Sequence, residues 1–423
     1  MRFHKFKILL FLNVLMFNTL MSADALNDFY EYKPIYDYLC VNYDENKLII
    51  PGNSYLLKDL YKKIDKISAT GQGKLSILHI GGSHVQAGVF SHRLRVNFRN
   101  FIGDYTASKG AIFPFKSMGT NAPKNYSMIA TTKCDKARCT DKVPLLPLGL
   151  KGAALSIVDS STIVKFDLNS TEEELWQYDK LTILGDAKKG SIYPLLILKN
   201  DTLHPKKLEN SAYVFELPTM VSNGQILFSG LLTKNDSFIF RGIIPENSNS
   251  GLTYHEAGIN GATVSSWLRC DYFDKEIQHI NPDVVIFAIG INDANVSPVK
   301  FDNNKFKSNY RKLIDKIKRI NPNVLCLFVT NNDCKLNIKG YRGQFNPNTQ
   351  HAEQAFIELA KEYNGVVWDL YKVMGGFGSS EQWVESQLMQ PDYIHFKREG
   401  YELLGDLLYN AFVINYRNIG YNE

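Results

Sequence analysis

A strand–helix alternation begins at Leu75, breaks off near residue 116 and resumes after residue 255. Leu75-Ser-Ile-Leu-His-Ile80 reads as a short apolar strand that stops at Gly81-Gly82, and residues 84–99 read as the helix after it. Asp283-Val-Val-Ile-Phe-Ala-Ile289 is a second buried run, stopping at Gly290. Phe306, Tyr310, Leu313, Ile314 and Ile317 then mark one face of a helix, and residues 324–329 a further strand. A helix over 352–363, the strand Val366-Val-Trp-Asp-Leu370 and a last helix carrying Tyr401, Leu404, Leu408 and Phe412 complete the series. Strands that alternate with helices pair in parallel, because a helix is the usual way back across a sheet. The class is therefore α/β, with a mostly parallel, doubly wound sheet.

Residues 116–250 have another character. Short runs such as Ala154-Leu-Ser-Ile-Val158, Tyr193-Pro-Leu-Leu-Ile-Leu198, Tyr213-Val-Phe-Glu-Leu217 and Phe238-Ile-Phe-Arg-Gly-Ile-Ile244 are separated by turn residues such as Ser222-Asn-Gly224. Short strands with that punctuation predict a β-sandwich or jelly roll. The expected division is residues 26–115 and 251–423 for one α/β domain and 116–250 for an inserted sandwich.

Residues 1–25 are expected to lie outside the fold. Arg2, Lys5 and Lys7 precede an apolar stretch from Ile8 to Leu20, and Ala23-Asp24-Ala25 supplies an A-x-A cleavage site. The run is short for a bilayer span, so a cleaved signal peptide, a periplasmic or secreted protein and no stable membrane span are expected. The formal charge of +5 is spread along 423 residues, which excludes a concentrated nucleic-acid footprint. Of six cysteines, Cys134 and Cys139 are close enough in sequence to bridge locally, and Cys326 reads as a buried small hydrophobe. No CxxC pair or His/Cys cluster has metal-site spacing, so no metal and no organic cofactor is expected.

Four small motifs carry chemistry. Asp392-Tyr-Ile-His395 places a carboxylate within one turn of an imidazole, where it can hold Nδ1–H and leave Nε2 free as a base. Ser83 follows Gly81-Gly82 just past the end of a strand, where open α/β sheets place their ligands. Gly258-Ile-Asn-Gly261 and Gly290-Ile-Asn292-Asp293 supply oxyanion donors: a backbone N–H unhindered by a Cβ and a side-chain amide, with the N–H of Ser83 as a third. In acyl transfer, losing one such donor typically costs about 3–4 kcal/mol of barrier. Neither a G-x-S-x-G elbow nor a Walker lysine is present.

In order and spacing these residues resemble the SGNH (GDSL-type) hydrolases, with Ser83 in block I, Gly261 in block II, Asn292 in block III and Asp392 with His395 in block V. Among these, the closest resemblance is to peptidoglycan O-acetylesterases. It is carried by His79-Ile-Gly-Gly-Ser83-His84, Gly258-Ile-Asn-Gly261-Ala-Thr263, Gly290-Ile-Asn292-Asp293 and Gly375-Gly-Phe-Gly378-Ser379, leading through Trp383 to His395. The resemblance implies a flavodoxin-like three-layer α/β/α domain, a β-sandwich, carbohydrate-binding-like module in the insert, and a serine esterase acting on O-acetylated glycan, most simply peptidoglycan. Other acetylated polysaccharides, acetyl transfer to a sugar hydroxyl, and a non-catalytic glycan-binding relative are the open alternatives. Block I departs from the usual Gly-Asp-Ser, because Gly82 stands where the Asp would help hold the loop. His84 either lines the acyl pocket or is structural, and Trp176 is a candidate for stacking on sugar.

Overall fold

A computed structural model describes residue 33 and residues 37–102, 106–169, 175–189, 192–199, 201–230 and 236–420. The expected signal peptide lies outside these residues. The central sheet has seven strands: β1 (Leu48–Ile49), β2 (Lys74–Gly81), β3 (Thr106–Ser108), β4 (Gly251–Gly258), β5 (Val284–Ala288), β6 (Leu325–Val329) and β7 (Val366–Trp368). Their spatial order is β1-β7-β6-β5-β2-β4-β3. All neighbours are parallel except β1, which runs antiparallel to β7 at the edge. Leaving out the two short edge strands, the order of β4, β2, β5, β6 and β7 is the flavodoxin-like 2-1-3-4-5.

Helices cover both faces. On one side lie α1 (Tyr55–Thr70), α3 (Phe90–Phe101) and α6 (Arg398–Gly420), joined edge to face through Tyr61, Phe98, Phe101 and Phe412. On the other, α4 (Asn303–Lys318) and α5 (Asn348–Tyr363) close over Phe287 and Phe328 with Phe306, Tyr310 and Phe356. This is the three-layer α/β/α arrangement. The helix expected over 84–99 is in fact two, α2 (Ser83–Gln86) and α3, broken at Gly88. Gly88 has φ +72°, and a Cβ there would meet Pro123 Cβ at 2.7 Å, so the chain turns to admit the loop around Pro123.

Between residues 127 and 246, two antiparallel sheets of five and six strands pack face to face. Phe166 of the first meets Tyr178 of the second, and Phe228 meets Phe238. Four strands absent from the sequence expectation, 127–130, 201–203, 135–138 and 207–209, are the outer strands of these two sheets. Trp176 is 1% exposed beneath Lys109 and Arg99, which rules out its reading as a sugar platform. The Cys134–Cys139 bridge also does not form. Residues 135–138 are extended, so the two Cα atoms are held about 16 Å apart, beyond the roughly 7 Å that a disulfide spans.

The sandwich is locked to the sheet by buried charge. Arg241, on the sandwich strand Ser237–Glu246, pairs with Glu276 of the hydrolase segment, and both side chains are 0% exposed. Arg241 also meets Asp186 at 2.7 Å and lies over the Tyr272 ring at 4.0 Å, while Glu276 accepts the Leu150 N–H at 2.7 Å. Glu276→Ala strands a guanidinium in the core, and we expect it to cost about 3–5 kcal/mol in urea-induced unfolding. A loss below about 1 kcal/mol would show that Asp186 and Tyr272 suffice to hold Arg241.

Candidate active site

The three middle strands end level. Gly81 of β2 is in register with Gly258 of β4 on one side and with Ala288 of β5 on the other. Each is followed by a loop carrying one predicted residue: Ser83, Gly261 and Asn292. This edge is the topological switch point, where the chain after β2 builds one side of the sheet and the chain after β5 the other. Gly81 and Gly258 are required by close approach. A Cβ at Gly81 would lie 2.2 Å from Val85 Cγ2, and one at Gly258 would lie 2.4 Å from the Gln86 nitrogen. Both glycines let α2 sit directly on the strand ends and present Ser83 at its first position.

The fourth motif arrives from the loop before α6. Ser83 Oγ lies 2.8 Å from His395 Nε2, and His395 Nδ1 lies 2.7 Å from Asp392 Oδ2. The other carboxylate oxygen, Asp392 Oδ1, accepts the N–H groups of Ile394 and His395, each at 2.9 Å. Burial alone would raise the Asp392 carboxyl. The hydrogen bonds from the His395 ring and from these two N–H groups outweigh it and hold the group at about 2, so it is an anion at any pH near neutrality. The loop rests on Phe396, packed edge to face on the buried Trp383, whose Nε1 donates to Cys40 O and Met374 O.

Gly261 has φ +76° and open space where a side chain would be. Asn292 Nδ2 donates to Ala262 O at 3.0 Å, which leaves one of its two N–H groups without a protein acceptor among the described residues. Gly82 packs against that amide: a Cβ there would sit 3.3 Å from Asn292 Nδ2 and 3.7 Å from Ala262 O. His84 stands beside His395 and the start of α6. Its Nδ1 pairs with Tyr401 Oη at 2.8 Å, and its ring lies 5.6 Å from that of His395. Burial first, and the neighbouring His395 second, push it down to about 3, so it stands as a neutral wall behind the base.

Two residues that the sequence reading missed tie these loops together. Gln86 Oε1 accepts the Asn260 N–H at 2.6 Å, and Gln86 Nε2 donates to Asn121 O at 2.7 Å, joining α2, the Gly261 turn and the loop entering the sandwich. Asp293 accepts the Val264 N–H at 3.0 Å, joining the Asn292 loop to the Gly261 loop. Burial raises the Asp293 carboxyl to about 7. Asp293 had a sequence signal, its place beside Asn292, whereas Gln86 had none, since its partners are remote in the chain. Among the described residues, no group of three His, Cys, Asp or Glu side chains is placed to hold a metal ion, and no helix is long and apolar enough to cross a membrane.

Residues 240–403 match the GDSL-like Lipase/Acylhydrolase family. The chain thus has an SGNH-type hydrolase fold. A solved peptidoglycan O-acetylesterase superposes with a TM-score of 0.71 at 19% identity, over 88% of this chain and 99% of that one. An acetyl xylan esterase (TM-score 0.30, 23% identity, 38% of this chain and 81% of its own) matches in part. So does a lipase/acylhydrolase from Enterococcus faecalis (TM-score 0.30, 23% identity, 40% and 78%). No curated protein matches the chain in sequence.

Proposed function

We propose that this protein is an exported serine esterase that removes O-acetyl groups from a cell-envelope glycan, with peptidoglycan as the substrate. The observation that carries the reading is the unbroken relay from Ser83 Oγ through His395 to Asp392, at 2.8 and 2.7 Å, at the switch-point edge of the sheet. Ser83 attacks the acetyl carbonyl while His395 Nε2 takes its proton, and Asp392 holds the imidazole in the tautomer that leaves Nε2 free. The tetrahedral oxyanion is held by the N–H groups of Ser83 and Gly261 and by the Asn292 amide. Collapse expels the sugar hydroxyl, to which His395 returns the proton, and water then releases acetate from the acyl-serine. Gly82 is compatible with this chemistry, because Gln86 and Asp293 supply loop anchoring that an acidic residue at position 82 would otherwise provide.

The choice of peptidoglycan is supported by the likeness, over 88% of this chain, to a peptidoglycan O-acetylesterase. The test is acetate release by the purified protein from O-acetylated peptidoglycan, with acetylated xylan in parallel. Faster release from peptidoglycan is expected. Release from xylan alone would move the substrate to another polysaccharide, and transfer of acetyl to an added sugar with little free acetate would make the protein a transferase.

A further inference from the structure

Phe377 stands in Gly375-Gly-Phe-Gly378-Ser379, a motif that the catalytic relay leaves unused. It is 59% exposed, and among the described residues no other Phe or Trp is exposed to that degree. The loop is built to hold it there. Gly375, Gly376 and Gly378 have φ of +106°, +80° and +88°, and the buried Asp333 carboxylate accepts the Ser380 N–H at 2.9 Å. From Phe377 a line of aromatic rings leads to the triad. Phe345 lies 5.5 Å away, and Lys335 Nζ sits over the Phe345 ring at 4.8 Å and over the Tyr393 ring at 3.9 Å. Lys335 also pairs with Glu381 at 2.8 Å, so one anchored cation fixes both half-buried rings. Tyr393 lies inside the catalytic loop, between Asp392 and His395. Its φ of +59° is one that a large side chain holds only where its surroundings impose it, and such positions collect at functional sites. The three contributing loops follow β6, follow β7 and precede α6, at the sheet edge that carries Ser83.

We propose that Phe377, backed by Phe345 and Tyr393, is a stacking platform for a second pyranose ring of the glycan chain whose acetyl group Ser83 removes. This rests on the reading of the protein as a glycan O-acetylesterase. Position and chemistry name the occupant. The patch is continuous with the catalytic loop, so the molecule that crosses it is the one held at Ser83, meeting Tyr393 first and Phe377 last. A pyranose carries its hydroxyls around its rim and C–H groups on its faces. One face can pack on an aromatic ring while the rim stays in water, the use to which a half-wet aromatic surface is suited. A small acetate ester, held at Ser83 by its acetyl group, ends before Phe377, so the platform favours chains over single rings.

The test compares wild type, Phe377→Ala and Phe377→Trp on soluble O-acetylated peptidoglycan chains and on an aryl acetate. In Phe377→Ala the ratio of kcat/KM on glycan to kcat/KM on aryl acetate is expected to fall about tenfold, the loss entering through KM. Phe377→Trp should keep the ratio. An unchanged ratio in Phe377→Ala would overturn the proposal. An equal fall on both substrates would also overturn it and make Phe377 a support of the catalytic loop. Loss of self-association with the ratio unchanged would assign the surface to a second copy of the chain. If wild type cleaves the aryl acetate and no glycan, the functional reading fails by itself, and cosedimentation with peptidoglycan decides the platform separately. Weaker binding by Phe377→Ala would then support it, and equal binding or none would sink it.

Discussion

Ser83→Ala is expected to lower kcat on an aryl acetate by on the order of 10⁶-fold, the scale at which removing a serine nucleophile leaves only binding and oxyanion stabilisation. The fold should survive. Ser83 is partly exposed, and its side chain makes one hydrogen bond, to His395, so the stability change should stay within about 1.5 kcal/mol. The backbone N–H of residue 83 and those of the other oxyanion donors are untouched, so glycan binding should persist. Matched kcat and binding measurements on wild type and variant therefore separate two classes of protein. If wild type releases acetate and the variant does not, Ser83 is the nucleophile. If both are inert yet bind glycan equally, the hydrolase domain is a binding platform, and Gly82 in place of an acidic residue becomes its mark. A variant that keeps wild-type kcat would move the nucleophile elsewhere.

What could be read in the sequence divides along physical lines. Ser83, Gly261, Asp392 and His395 announce themselves because each sits where local chemistry restricts the backbone: beside a glycine that admits α2, in a left-handed turn, or within one turn of its partner; Asn292 is marked by Gly290, whose φ of +142° ends the strand before it. The inner strands were also legible, since strands flanked on both sides carry dense apolar runs, as in Val284–Ala288 and Leu325–Val329. Edge strands were not. Asp135–Arg138 and Lys207–Glu209 are charged, as exposed edges must be to avoid pairing with another chain, and that charge erases the apolar alternation. The break at Gly88 was hidden for a related reason, because it answers to Pro123 in a remote loop and not to its own helix. Gln86 is the same case among polar groups. A long-range hydrogen bond leaves no periodicity behind.

Asp392→Asn is expected to reduce kcat by about 10⁴-fold with KM nearly unchanged, and the local geometry explains why so small a change should cost so much. Asp392 Oδ1 is claimed by two backbone donors, the N–H groups of Ile394 and His395. An asparagine must keep its own oxygen there, because turning the amide would aim N–H against N–H. Its Nδ2 then faces His395 Nδ1 and donates to it. The ring proton is driven to Nε2, the nitrogen that must accept from Ser83, and the base is blocked although every heavy atom stays in place. Asp392→Ala should be less damaging. The carboxylate is 48% exposed, so water can replace it, accept the Nδ1 proton and leave a fraction of the rings in the productive tautomer. The ordering wild type, then Ala, then Asn is the signature of tautomer control. It is read from kcat on the aryl acetate, with nitrogen NMR of His395 reporting which ring nitrogen carries the proton. An Asn variant within tenfold of wild type would show that Asp392 holds the loop and does not set the base.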